Sequence, residues 1–128
     1  MATAAARRIG ILTGGGDCPG MNPVIKAVVT QGTAAGFAVV GIREGWRGLL
    51  SKDAANTAVL HPSDVRPLDQ AGGTILGTSR TNPFSRPRGP ETVMDNVKAL
   101  KLEAIVAVGG DDTLGVARML HEKFGLKA

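Results

Sequence analysis

The sequence predicts an α/β protein built around a parallel β-sheet. Apolar residues make up 43% of the 128 residues and aromatic residues only 3%, so valine, isoleucine, leucine and alanine must form the core. These side chains are typical of parallel strands that are buried on both faces. Near the start of the chain a strand, a glycine-rich loop, a helix and a second strand follow in order, which predicts a right-handed βαβ unit. The length fits a single domain.

The spacing of apolar residues predicts the individual elements. Buried strands are expected over residues 8–12, 37–42 and 104–108. Helices are expected over residues 21–35, 91–100 and 113–124, with Gly125 as the cap of the last one. Residues 43–89 are irregular, with a short strand expected at 58–60 and a polar, proline-bearing stretch at 80–90. We expect this middle part to run over the carboxyl edge of the sheet, and a further strand to follow residue 124.

Charge and cysteine content restrict the class of protein. The formal charge is +4 with scattered basic residues, which suggests an anionic partner such as phosphate and lacks the basic stripe of a nucleic-acid binder. A single cysteine, Cys18, excludes an internal disulfide and a cysteine-based metal cluster and favours a reducing, cytoplasmic setting. No apolar run approaches the roughly 20 residues that span a bilayer, and residues 1–8 lack the core of a signal peptide. We therefore expect a soluble protein without a membrane partner.

Two of the predicted strands end in glycines that are followed by acidic residues. The strand at 8–12 continues into residues 13–17 (TGGGD), and the strand at 104–108 into residues 109–113 (GGDDT). Ligands of open α/β sheets bind at this edge, and glycines there let backbone N–H groups approach an anion closely. Neither loop matches the dinucleotide or Walker fingerprints. The predicted ligand is a phosphate chain; the alternative is that the glycines only form tight turns from strand to helix.

The adjacent acids Asp111 and Asp112 suit a magnesium ion. Magnesium is bound by few carboxylates together with waters and phosphate oxygens, and it would offset the charge of a polyphosphate on the loop. The alternative is helix capping, in which an aspartate at a helix start accepts backbone N–H bonds and favours the helix dipole.

Three segments together resemble the phosphofructokinases. They are residues 11–22 (ILTGGGDCPGMN), 72–80 (GGTILGTSR) and 108–114 (VGGDDTL), in the order and spacing of that family. The resemblance implies a three-layer, Rossmann-like sheet with helices on both faces, of which residues 1–128 are the amino-terminal, donor-binding part. It also implies transfer of a phosphoryl group to fructose 6-phosphate with Mg²⁺, giving fructose 1,6-bisphosphate in glycolysis. The intact protein is expected to be a homodimer or a homotetramer.

The resemblance assigns roles to five residues of the chain. Gly15 is expected to approach the phosphoryl donor, and Arg80, Asp112 and Thr113 to contact the donor phosphates. Asp111 is expected to help hold the magnesium. An arginine fork suits terminal phosphate oxygens. The alternative for Arg80 is a surface ion pair.

Asp112 also bears on the identity of the donor. ATP-using members resemble Gly-Gly-Asp-Gly here, and pyrophosphate-using members resemble Gly-Gly-Asp-Asp. An aspartate would crowd and repel the α-phosphate of a nucleotide, whereas pyrophosphate ends before reaching it. The sequence therefore favours pyrophosphate over ATP. The catalytic base and the fructose 6-phosphate contacts of the family belong after Ala128, so the chain alone could be a non-catalytic phosphate- or nucleotide-binding module.

Three further residues keep open roles. Arg86 and Arg88 lie near a second donor-binding arginine of the family, with Pro83 and Pro87 beside them. Trp46 falls where the family places an aromatic next to the nucleotide, and it could equally be a core anchor.

Overall fold

The computed structural model describes residues 7–15, 20–51, 56–68 and 72–128. The strands are β1 (Arg7–Thr13), β2 (Phe37–Ile42), β3 (Thr57–Leu60) and β4 (Leu102–Val108). The α-helices are α1 (Met21–Ala34), α2 (Pro62–Val65), α3 (Gly89–Ala99) and α4 (Asp111–Phe124). Short 3₁₀ helices cover Gly45–Leu49 and Pro83–Ser85. Predictions made for Gly16, Asp17 and Cys18 lie outside the described residues.

The four strands form one sheet in the order β3-β2-β1-β4. β1 is parallel to both β2 and β4, as the βαβ pattern predicts. β3 is antiparallel to β2, so the sheet has a parallel centre and one antiparallel strand at its edge. No α-helix is described between β2 and β3, and without a helical crossover the chain turns back at the end of β2 and runs in the opposite direction.

Helices cover both faces of the sheet, which confirms the three-layer α/β prediction. Successive residues of a strand point to opposite faces, so Ile11 packs with α1 on one side and Leu12 packs with α3 and α4 on the other. On the first side Ile25 and Val29 of α1 are fully buried. The sheet thus holds the carboxyl ends of β1 and β4 side by side, with a helix starting after each.

The predicted elements are confirmed, with shifted boundaries. β2 matches its predicted bounds, whereas α3 begins at Gly89 and α4 at Asp111, each two residues earlier than expected. The prediction missed α2 and both 3₁₀ helices, because these elements are too short to show a periodicity. Gly125 caps α4 with φ 74°, as predicted. Within the described ranges no helix is long and apolar enough to cross a bilayer.

Candidate functional site

The loops after β1 and β4 are in direct backbone contact. The amide of Gly14 donates to the carbonyl of Val108 at 2.8 Å. Gly15 has φ 79°, a conformation that side chains disfavour. A Cβ atom on Gly109 would lie 2.7 Å from the carbonyl oxygen of Gly14, closer than real Cβ contacts. Glycine is therefore required here by backbone approach as well as by the turn from strand to helix.

Thr113 fills the space between the two loops. Its side chain is 5% exposed, and a Cβ atom on Gly14 would overlap it. Its carbonyl accepts a hydrogen bond of 3.1 Å from Nε1 of Trp46, which is 3% exposed. Trp46 packs in the core cluster of β2, β4, α3 and α4. The core-anchor interpretation of Trp46 is therefore supported, and its ring also faces the site.

A pocket of about 400 Å³ opens at this edge of the sheet. It is lined by Gly14, Gly15, Trp46, Ser79, Arg80, Thr81, Asn82, Asp112 and Thr113. Four of the five residues assigned from the sequence, Gly15, Arg80, Asp112 and Thr113, thus share one cavity. Asp111 does not line it, although it precedes Asp112 directly. The lining residues Ser79, Thr81 and Asn82 were not predicted; their position beside Arg80 is the signal that could have found them.

A second cavity of about 440 Å³ lies beside the glycine loops. It is lined by Gly14, Gly15, Gly20, Met21, Val24, Val108, Gly109 and Gly110. Gly14 and Gly15 line both cavities, whereas Gly109 and Gly110 line only the second. Only the first cavity contains the side chains of Arg80 and Asp112.

The side chain of Arg80 is exposed and points its charge into solvent at the pocket. It makes no hydrogen bond or ion pair with any residue that the structure describes. The alternative of a surface ion pair therefore has no support within those ranges. The unpaired guanidinium of Arg80, beside the backbone N–H groups of the glycine loops, is suited to an anionic ligand.

Asp111 and Asp112 occupy the first turn of α4, after Gly110 as the N-cap. Both are exposed, and neither carboxylate has a hydrogen bond or ion pair within residues 7–15, 20–51, 56–68 and 72–128. They favour the dipole of α4 but do not cap it through a side chain. The described residues hold no group of three metal-binding side chains. Magnesium needs only one or two carboxylates when phosphate oxygens complete its shell, so this free acidic pair fits it.

Arg86 and Arg88 are exposed and lie outside both cavities. Arg88 precedes α3 with φ 56°, and its carbonyl accepts from the amide and the hydroxyl of Thr92. Its backbone thus starts the helix. A donor-binding role of either arginine stays a prediction.

Comparison with known proteins gives consistent matches over almost the whole chain. A family model described as Phosphofructokinase matches residues 8–128. The chain is 48% identical over 120 residues to a pyrophosphate–fructose 6-phosphate 1-phosphotransferase of Streptomyces coelicolor, covering 93% of this chain and 34% of the relative. It is 44% identical over 116 residues to ATP-dependent 6-phosphofructokinase 3 of the same organism, covering 90% and 33%.

A solved structure gives the same result for the fold. A phosphofructokinase from Saccharomyces cerevisiae aligns with a TM-score of 0.85 and 33% identity, over 92% of this chain and 16% of that chain. The chain spans about a third of the length of the curated relatives it matches.

Proposed function

This chain belongs to the phosphofructokinase family, and we propose that the intact protein transfers a phosphoryl group from pyrophosphate to fructose 6-phosphate. The product is fructose 1,6-bisphosphate. The observation that carries the proposal is the pocket in which Gly15, Arg80, Asp112 and Thr113 meet at the carboxyl ends of β1 and β4. This chain supplies the donor side of the site, and the fructose 6-phosphate contacts and the catalytic base belong to other parts of the intact protein.

The donor is held by backbone and by one arginine. The N–H group of Gly15 and the positive end of α4 lie beside the pocket and favour an anion there, while the amide of Gly14 is used in the bond to Val108. The guanidinium of Arg80 pairs with the terminal phosphate oxygens and stabilises their charge during transfer. These groups act by positioning and electrostatic stabilisation, without a covalent intermediate on the protein.

The acidic pair is proposed to hold magnesium together with the donor. Asp111 would be the ligand, and Asp112 follows it in the first turn of α4 and lines the pocket. Bound magnesium would neutralise part of the charge on the phosphate oxygens. Without the metal, two carboxylates beside a polyphosphate would repel it, so the donor and the metal should bind together.

Asp112 supports pyrophosphate as the donor. Its side chain projects from the first turn of α4 into the pocket that we assign to phosphates. A nucleotide would have to place its α-phosphate against this carboxylate, where like charges repel. ATP remains the second candidate donor, since a relative named for it is almost as similar as the one named for pyrophosphate.

Steady-state assays with each donor test the proposal. The intact protein should phosphorylate fructose 6-phosphate with a much higher kcat/KM for pyrophosphate than for ATP, and only with Mg²⁺ present. An equal or higher kcat/KM with ATP would reject pyrophosphate as the donor. The same assays on residues 1–128 should give no turnover, because a general base contributes roughly 10²–10⁴-fold and acceptor binding is lost as well. Turnover by this chain alone would show that it contains the catalytic base.

A further inference from the structure

The segment that carries Arg80 is attached to the end of β1 and the start of α1 by side-chain hydrogen bonds. Residues 72–80 form neither helix nor strand. Their backbone groups therefore find hydrogen-bond partners outside a regular ladder. Two buried polar side chains, Asn22 and Thr13, supply such partners, and we call this pair the clamp.

Asn22 holds the first part of the segment with both ends of its amide. It lies in the first turn of α1 and is 1% exposed. Its Nδ2 donates to the carbonyl of Gly72 at 3.1 Å, and its Oδ1 accepts from the amide of Ile75 at 2.8 Å. Its backbone amide donates to the carbonyl of Gly73 at 3.2 Å. An amide buried in this way fixes one geometry of the loop, because leaving either end unpaired is costly.

Thr13 holds the second part of the segment. It is fully buried, and its hydroxyl donates to the carbonyl of Gly77 at 2.8 Å while lying 2.8 Å from the hydroxyl of Thr74. A hydroxyl has one proton, so the Thr74 hydroxyl must be the donor to Thr13. The oxygen of Thr74 can then accept from the amide of Leu76 at 3.1 Å. This relay fixes the turn before Gly77, where φ is 69°.

The far end of the segment is fixed as well, up to the residue before Arg80. The amide of Glu44 donates to the carbonyl of Leu76 at 2.8 Å, and the hydroxyl of Ser79 donates to the carbonyl of Glu44 at 2.5 Å. Arg80 itself has no partner among the described residues. Its position is therefore set by the backbone beneath it and by the bonds that hold this backbone.

We infer that Asn22 and Thr13 are positioning residues of the donor site, which present Arg80 to the pocket by holding residues 72–80 against the end of β1. Neither side chain lines the pocket, so both act through the segment. The inference rests on the proposed function of the pocket as a donor site. The orientation of Arg80 would then depend on the side-chain amide of Asn22, which lies in α1, about 60 residues earlier in the sequence.

Hydrogen exchange tests the first half of this inference without any ligand. Asn22→Ala removes the acceptor of the Ile75 amide, and the nearly isosteric Thr13→Val removes the bonds that hold Thr74, the acceptor of the Leu76 amide. Each variant should therefore make the amides of Ile75 and Leu76 exchange roughly tenfold faster than in the wild-type chain, because the segment is no longer held. Thr13→Ser keeps the hydroxyl and should restore slow exchange. Unchanged exchange at both amides in both variants would overturn the inference.

Asn96 offers a matched control. Its Nδ2 donates to the carbonyl of Leu49 at 2.5 Å, so it is also a side-chain amide that holds a neighbouring segment, here the 3₁₀ helix Gly45–Leu49, but it lies on α3 and does not line the pocket. Asn96→Ala should lower the melting temperature and leave exchange at Ile75 and Leu76 unchanged. Faster exchange there in the control would show a general loosening of the chain and contradict a specific clamp.

A double-mutant cycle in the intact protein tests the second half. If Asn22 acts through Arg80, Asn22→Ala should raise the KM for the donor roughly tenfold in the wild-type background and less than about twofold in an Arg80→Ala background. Asn96→Ala should act equally in both backgrounds. Additive effects of Asn22→Ala and Arg80→Ala would reduce Asn22 to a structural residue and overturn the inference.

A different measurement would contradict the proposed function itself. If the wild-type intact protein phosphorylates fructose 6-phosphate with neither donor, the function is wrong. The cycle is then measured on the dissociation constant for Mg²⁺–pyrophosphate. Non-additive dissociation constants would keep the clamp as the positioning device of an anion site, and additive ones would reject it.

Discussion

The two sides of the pocket are built by different means. On the glycine side, a Cβ atom on Gly14 or Gly109 would overlap its neighbours, Gly15 has a positive φ, and Thr113 fills the remaining gap. On the arginine side, residues 72–80 are irregular and depend on hydrogen bonds from other elements. Substitutions on the glycine side should therefore act mainly through shape and local charge. Substitutions beneath the arginine side should change orientation while the sheet stays intact.

The largest effect is expected at Asp111. Asp111→Ala should lower kcat/KM about 100-fold or more with both donors in the intact protein, because one carboxylate ligand of the magnesium is lost. Stability should change little, since the side chain is exposed and has no partner within the described residues. Asp95→Ala, also an exposed helical aspartate, is the control and should keep full activity. Unchanged rates in Asp111→Ala would assign this residue to the helix dipole alone.

Alanine substitutions at Gly109 and Gly110 show whether the glycine side depends on close packing or on loop flexibility. Gly109→Ala should lower the free energy of unfolding by about 1–3 kcal/mol, because its Cβ would meet Gly14 and Thr113. At Gly110 a Cβ meets nothing within 4 Å, so Gly110→Ala should be close to neutral. Urea unfolding of the chain measures both values. Equal losses in the two variants would contradict the picture of a sterically closed glycine side.

A smaller effect is expected from the negative charge of Asp112 on the KM for ATP. Asp112→Gly should lower the KM for ATP about tenfold, or about 1.4 kcal/mol, by relieving crowding and repulsion at the α-phosphate. The KM for pyrophosphate should stay within about threefold of wild type, allowing for the poor helix propensity of glycine. Asp112→Asn keeps the size and removes the charge, so it shows how much of the gain is electrostatic. No gain with ATP in either variant would remove Asp112 from donor selection.

The two sides also differ in how far the sequence could predict them. The glycines and acids of residues 109–113 follow an apolar run, so their place at the carboxyl edge follows from the order of elements. The contact of Gly109 with Gly14 does not, because it joins residues far apart in sequence through the pairing of β1 with β4. Arg80 was assigned through a family resemblance. Nothing local predicts its segment, since the bonds that hold it come from Asn22 and Thr13.

The middle of the chain shows the same limit. The short strand at 58–60 was expected, but its antiparallel direction depends on how the chain leaves β2, which has no signature in the apolar pattern. The hydrogen bond from Trp46 to Thr113 spans 67 residues and could not be predicted either. The spacing of apolar residues predicts helices, strands and their buried faces. The pocket depends on contacts between residues that are far apart in sequence, which this spacing does not predict.

The smallest expected effect is a fluorescence change, and it tests whether both sides act on one ligand. Trp46 is the only tryptophan of the sequence, which has no tyrosine, so its emission can be measured without interference. Its ring lines the pocket and donates a hydrogen bond to the carbonyl of Thr113 on the glycine side, whereas Arg80 lies on the arginine side. Titrating the chain with Mg²⁺–pyrophosphate should change the emission with a dissociation constant on the order of 1 mM, or about −4 kcal/mol.

Arg80→Ala should weaken this binding roughly tenfold, because a charge-assisted pair with phosphate is lost while the indole stays in place. Trp46→Phe gives the baseline without the reporter. Inorganic sulfate at the same ionic strength separates specific binding from salt effects. Dissolved salt screens interactions between exposed charges that lie more than about 8–10 Å apart. If Arg80→Ala and the wild type respond equally to pyrophosphate, the two sides do not share a ligand, and the pocket binds anions through its glycines alone.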